Sequence, residues 1–181
     1  MYLWTAINVD DQLADLRRQS EAAARALGLP DAPFTLPLHV SLRISFPADD
    51  AAAPAILEDI RAYYRTLRPF AMQVSGVEDT GDIVWLRMKE SEKLSAIHAH
   101  LCDTLAARYG VPPHPFDARF IFHATLLMTN APGQSARGFE MLKNKPVPAT
   151  LRADRFIIGA SPSGAIGSYH VLEEIAALFT P

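Results

Sequence analysis

Two short stretches hold residues whose types and spacing could do chemistry. In "LHVSLRIS", residues 38–45, polar side chains alternate with aliphatic ones. Side chains on a strand change face at every residue, so Leu38, Val40, Leu42 and Ile44 are expected to face a core and His39, Ser41, Arg43 and Ser45 the opposite side. "FIFHATLLMT", residues 120–129, repeats the design, with Phe122, Ala124, Leu126 and Met128 expected inward and His123, Thr125 and Thr129 outward. One histidine on a strand is commonly a structural residue. Two in equivalent settings read as the halves of one site.

Two imidazoles and two hydroxyls suit phosphoryl transfer without a metal. Histidine titrates near neutrality, so one ring can take a proton from an attacking oxygen while the other gives one to a leaving oxygen. Ser41 and Thr125, one residue removed on the same faces, can donate to non-bridging phosphate oxygens where charge develops. Arg43 would add a charge-assisted bond. Such a site predicts a bell-shaped pH profile and indifference to chelators.

The elements around these stretches must bring them together. "YLWTAINV" (2–9) reads as a strand, followed by a helix capped by Asp10 with Leu13, Leu16, Ala23 and Leu27 on its buried face. After the His39 strand come a helix over about 52–67, strands "FAMQVSGVE" and "IVWLRM" around a turn, and a helix over about 92–109. Beyond the His123 strand, residues 133–143 read as a short helix, and "ATLRADRFIIGA" and "SYHVLEEIAAL" as a closing hairpin.

The two halves of this order match. "GLPDAPF" at 28–34 and "GVPPHPF" at 110–116 share Gly, Pro, Pro and Phe in identical places, 82 residues apart. Trp4 and Trp85 are 81 apart and His39 and His123 are 84 apart. This spacing, too long for a solenoid, predicts an α+β, bilobal duplicated fold. In it, two antiparallel sheet lobes related by a pseudo-twofold axis carry helices on the outside and a central cleft. The expected organisation is a single domain over 1–181, with pseudo-repeats of roughly 1–80 and 81–160 and a closing strand at 168–178.

Bulk properties narrow the function. With 181 residues, 49% of them hydrophobic, and a mean hydropathy of +0.06, the chain can bury a substantial core. A net charge of −3 lacks the basic footprint of a protein that tracks long nucleic acid, so no long-duplex binding is expected, although a small or terminal phosphate remains compatible. A single cysteine, Cys102, forms no internal disulfide and fits a reducing compartment. The start "MYLWTAINVDD" has neither the basic region of a signal peptide nor a membrane span. The chain therefore reads as cytoplasmic and without a membrane partner; a monomer is expected.

The paired "HVSL" and "HATL" resemble the H-x-S/T signatures of the two-histidine (2H) phosphoesterase superfamily. The size, the motif separation and the closing hairpin "RFIIGASPSGAIGSYHVLEEI" are similar to its LigT-like branch of 2′-5′ RNA ligases and 2′,3′-cyclic phosphodiesterases, over nearly the whole chain. The resemblance implies a nucleotide or RNA-end cyclic phosphate as substrate. It implies His39 as the acid and His123 as the base, Ser41 and Thr125 as phosphate binders, and no cofactor or metal. Where LigT-like sequences often have an arginine beyond the second motif, this chain has Met128, and where a proline commonly precedes the second histidine it has Phe122. Arg43 or Arg119 would then have to supply the cation. The competing readings are a nucleotide-binding module of the same fold without turnover, and a regulatory or scaffold protein with structural histidines.

Other chemistry-bearing residues have plainer readings. In "HAHLC" only His98 and Cys102 share a helix face, with no third ligand nearby in sequence, so no metal site is expected. His114 reads as a surface-loop residue. Of Tyr169 and His170 in the last strand, one must face the interior or the cleft. Tyr63, Tyr64 and Phe70 near Arg61, Arg65 and Arg68 read as an amphipathic helix with a solvated basic face.

Overall fold

The computed structural model describes residues 1–129 and 133–178. Eight strands and four α-helices follow one another as β1 (Tyr2–Asn8), α1 (Ala14–Leu27), β2 (His39–Pro47), α2 (Ala53–Tyr64), β3 (Phe70–Asp79), β4 (Ile83–Met88), α3 (Glu92–Tyr109), β5 (His123–Met128), α4 (Gln134–Leu142), β6 (Thr150–Ala153), β7 (Arg155–Ser161) and β8 (His170–Ala176). The strands form an antiparallel sheet in the order β6-β3-β4-β5-β2-β1-β7-β8. An α+β fold with helices outside the sheet is thus what the chain adopts.

The sheet reads outward from its centre in the same way on both sides. β2 and β5 meet there through one bridging pair, Val40 with Ala124. From β5 the order continues β4, β3, β6; from β2 it continues β1, β7, β8. The sequence halves are therefore interlocked: β3 lies beside β4 of the second half, and β7 lies beside β1 of the first. Helix α3 likewise packs on β2, and α1 on β5.

Local sequence explains the ends of both long helices. Gly28 and Gly110 each close a helix in the left-handed conformation, at φ 65°. The next residues, Leu29 and Val111, are buried and return their amides to Ala24 and Leu105. A Cβ-free residue is favoured at such a cap and an apolar residue directly after it. That is why Gly-Leu and Gly-Val open the two matching proline-rich loops.

One core runs between the sheet and the helices, formed by residues such as Leu16, Leu42, Ile56, Leu86, Leu101 and Leu126. A smaller cluster of Trp4, Ala6 and Ile157, with Leu36 and Tyr169 against it, covers the other face of the sheet. No helix among the described residues is long and apolar enough to cross a membrane.

Two local expectations are corrected. Asp10 does not cap α1; a 3-10 turn at Asp11–Leu13 intervenes, and the carboxylate accepts from the Leu38 amide (2.8 Å) and from Arg17 (2.5 Å) instead. It thereby ties the start of β2 to α1. The expected strand over 149–160 is two strands, β6 and β7, which break at Asp154 and lie at opposite sides of the sheet.

Candidate active site

The single bridge between β2 and β5 decides the geometry of the site. In an antiparallel pair with Val40 opposite Ala124, His39 stands across from Thr125 and Ser41 across from His123. Val40 and Ala124 are fully buried towards the helices, so all four motif side chains share the opposite, open face, where each is half-buried. Because the strands diverge beyond this pair, that face is a cleft.

Both motif strands carry a bulge directly after the motif. β2 skips Leu42 in its register with β1, which runs Ala6–Ser41 then Thr5–Arg43; β5 skips Leu126 in its register with β4, which runs Trp85–Thr125 then Val84–Leu127. A bulge places two successive residues on one side of the strand. Leu42 and Arg43 are accordingly both buried, as are Leu126 and Leu127, whereas Ile44 and Met128 come round to line the cleft.

This corrects the expected faces of Ile44 and Met128, and it buries Arg43. Arg43 occupies in β2 the position that Leu127 occupies in β5, and is 2% exposed. Its guanidinium donates to Asp117 (3.1 Å) and to the Pro112 carbonyl (3.1 Å). Those bonds tie it to the proline-rich loop, although it also lines the cavity beside Ser41.

Each histidine is oriented by the same local device. Nδ1 of His39 lies 2.8 Å from the Pro37 carbonyl, and Nδ1 of His123 lies 2.7 Å from the Ile121 carbonyl. A carbonyl only accepts, so Nδ1 carries the proton in both rings and Nε2 is left for proton exchange. A tryptophan from the neighbouring strand buttresses each ring, Trp4 at 4.9 Å from His39 and Trp85 stacked at 3.9 Å on His123. Neither indole N–H has a partner among the described residues, so the rings serve by their faces.

Burial lowers the pKa of His39, partly opposed by the Pro37 carbonyl and the nearby charge of Asp10. Burial also lowers that of His123, opposed by the Ile121 carbonyl and reinforced by His39, whose charge reaches it. Both rings are thus biased towards the neutral form. Among the described residues, an acidic neighbour, Asp10, helps His39 and not His123 to hold a proton.

The cleft encloses about 330 Å³ beside His39, Ser41 and Thr125. Its wall is largely apolar, from Leu36, Ile44, Met128, Ile166 and the ring of Tyr169. Tyr169 is therefore the member of its pair that faces the cleft, hydrogen-bonded to Ser45 Oγ and the Gly164 carbonyl (both 2.9 Å), while His170 is exposed.

Tertiary structure brings Asp117 to His98 and Cys102, a third potential ligand that their sequence surroundings lack. The Asp117 carboxylate, however, already neutralises Arg43. His98 Nδ1 is held by the Leu42 carbonyl (2.8 Å), and burial pushes the Cys102 thiol up to about 11. The cluster thus joins α3, the β2 bulge and the loop before β5. His114 offers its amide to Asp117, Arg119 is exposed, and His100 stacks on Tyr63. In the basic face of α2, Arg61 pairs with Glu58 and Glu173, and Tyr64 is buried.

Sequence reasoning passed over Arg87. It lies opposite His123 in the ladder and on the same face, two residues from the Trp85 that stacks on that histidine. Its guanidinium pairs with Glu78 at 3.2 Å.

The comparisons with known proteins bear on the fold that carries this site. The family model of the 2′-5′ RNA ligase superfamily matches residues 7–161. The chain belongs to that superfamily. Its structure is similar to that of TT0787 from Thermus thermophilus, with a TM-score of 0.69, 19% identity and 97% of each chain covered. It is also similar to Escherichia coli LigT, in a complex with 3′-AMP (TM-score 0.62, 19% identity, 97% of each chain) and in apo form (0.57, 20%, 97% and 96%). No curated protein matches by sequence. The LigT-like two-histidine fold that the paired motifs suggest is the fold of this superfamily member, and the solved structures share it.

Proposed function

We propose that the protein is a metal-independent phosphodiesterase that hydrolyses 2′,3′-cyclic phosphates of nucleotides or RNA ends, with reversible 2′-5′ ligation by the same chemistry. The observation that carries this reading is the pair of equivalently held imidazoles, both presenting Nε2 on one face with Ser41 and Thr125 between them. His123 takes the proton from a water whose oxygen attacks phosphorus. The bond to one ribose oxygen breaks, and His39 gives that oxygen a proton. The Ser41 and Thr125 hydroxyls donate to the non-bridging oxygens as charge builds on them.

Asp10 supports the assignment of His39 as the acid, because its charge favours the imidazolium there and not at His123. The anionic phosphate would add to that preference on binding. Escherichia coli LigT has been crystallised with 3′-AMP and with ATP, which supports a nucleotide in this cleft. The nucleoside would lie along Leu36, Ile166 and Tyr169. Arg43, buried on Asp117, has no part in this reading of phosphate binding. We read the working form as a cytoplasmic monomer.

The test is turnover of 2′,3′-cyclic AMP and of an RNA oligonucleotide ending in a cyclic phosphate, in EDTA, by the parent beside His39→Ala and His123→Ala. Activity that survives chelation and disappears in both variants is expected. A folded parent that binds AMP saturably and turns over neither substrate would select a binding module instead.

A further inference from the structure

A guanidinium free to reach the anionic centre would strengthen phosphate binding beside the histidines. Among the described residues lining the cavity, Arg43 is the one arginine or lysine, and its guanidinium is already held by Asp117 and the Pro112 carbonyl. The open face beyond that cavity carries another candidate.

Arg87 of β4 is paired directly with His123 of β5. Side chains so paired leave the sheet on the same side with Cβ atoms about 5 Å apart. The burial of Val84, Leu86 and Met88 towards the helices places Trp85 and Arg87 on the cleft face. On the far side of Arg87 the ladder partner is Gly76, and even a Cβ there would meet nothing within 4 Å, so the guanidinium has room to move.

Its present partner is replaceable. Glu78 accepts from Nη1 at 3.2 and 3.4 Å, with the two side chains 36% and 38% exposed. Such an exposed pair is weakly held, whereas a phosphate oxygen in a half-buried cleft accepts a stronger charge-assisted bond from the same fork.

We propose that Arg87 is the phosphate-binding cation of this site and that Glu78 is its resting partner, exchanged for the ligand's phosphate on binding. The inference rests on the phosphodiester reading of the cleft. It also explains how a chain with Met128 after its second motif, and with Arg43 buried, can still neutralise a phosphate beside His123. Glu78 then sets affinity in the opposite direction to Arg87, because it competes with the ligand for one guanidinium.

The experiment compares the parent with Arg87→Met, Arg87→Lys and Glu78→Gln, with melting temperature establishing that each is folded. Two readouts are taken: calorimetric binding of inorganic phosphate, and kcat/KM on 2′,3′-cyclic AMP. Arg87→Met is expected to lower kcat/KM about 10²-fold and to weaken phosphate binding, and Lys to restore part of both. Glu78→Gln is expected to bind phosphate about two- to fivefold more tightly. Folded Arg87→Met with parental binding and turnover overturns the proposal, and so does Glu78→Gln that binds no better than the parent. A parent without turnover but with Arg87-dependent phosphate binding would sink the hydrolase reading and leave Arg87 in place.

Discussion

His39 and His123 are useful as an acid–base pair because their surroundings treat them alike in one respect and unlike in another. Burial depresses both, so in the free protein the productive state with one proton between them is populated on the acid side of the ordinary imidazole value of 6.5. The kcat/KM profile should therefore peak below pH 6.5, and the kcat profile should lie at higher pH because a bound phosphate raises the proton affinity of both rings. A pH–rate series in one buffer system measures this; a kcat/KM maximum above pH 7 would contradict the assignment. The same shifts enter stability. Groups whose folded pKa is depressed from 6.5 contribute stability that is complete above that value and is lost as pH falls through the lower folded values. Urea titrations between pH 7.5 and 5 should show the parent losing stability more steeply than the His39→Ala, His123→Ala double variant.

At the scale of elements, the bulges after Ser41 and Thr125 and the packing of β1 decide where each group points. Trp4 can lie against His39 because β7 offers Gly159 beneath it: a Cβ there would stand 2.1 Å from the indole. Gly159→Ala should push the indole away, cost about 1–3 kcal/mol and lower kcat by disturbing His39; indole fluorescence and a melting curve report both, and an unchanged Trp4 signal would contradict the packing. The β2 bulge is held from below by the Arg43–Asp117 pair, whose side chains are 2% and 12% exposed. Removing the acid alone leaves a buried guanidinium without its counter-charge, so Asp117→Ala should destabilise by about 3–5 kcal/mol in urea denaturation. Asp117→Ala with Arg43→Leu, which restores the apolar residue found at the equivalent position in β5, should recover much of that loss.

For the whole molecule, the outward order of strands from the β2–β5 bridge repeats on either side, and each half lends a strand and a long helix to the other's side. We infer a single domain built from a duplicated unit, with repeats near residues 1–80 and 81–160, in which neither sequence half is a separate lobe in space. The interlocking brings two motifs 84 residues apart onto adjacent strands. Net charge and cleft size bear on the substrate. With −3 overall and an apolar wall around about 330 Å³, the protein gains little from a long polyanion. Extending a cyclic-phosphate RNA from two to twenty nucleotides should change kcat/KM less than about threefold, and the logarithm of kcat/KM should fall with the logarithm of salt at a slope of about −1 to −2. A slope near −5 would reveal a phosphate-tracking surface.

The paired H-x-S/T strands, the order of elements and the α+β class were legible in the sequence because they depend on local rules: period-two alternation, glycine caps after helices, and residues that repeat in matching settings. The helix over Glu92–Tyr109 was legible for the same reason. Alternation failed where it met the bulges after Ser41 and Thr125, since an extra residue in a ladder is a response to the neighbouring strand and leaves no mark in its own sequence. Ile44 and Met128 therefore read as core residues, yet both line the cleft; Arg43 read as free to meet a ligand, yet its guanidinium is held by Asp117 and the Pro112 carbonyl. Asp10 read as a helix cap, and it instead holds the Leu38 amide 28 positions away. Arg87 drew no attention because its setting in "IVWLRM" is ordinary along the chain. Only pairing with β5 makes it the neighbour of His123. Residue chemistry and local periodicity were determined by the sequence itself; which side chains share the cleft was decided by strand register, a property of two chain segments at once.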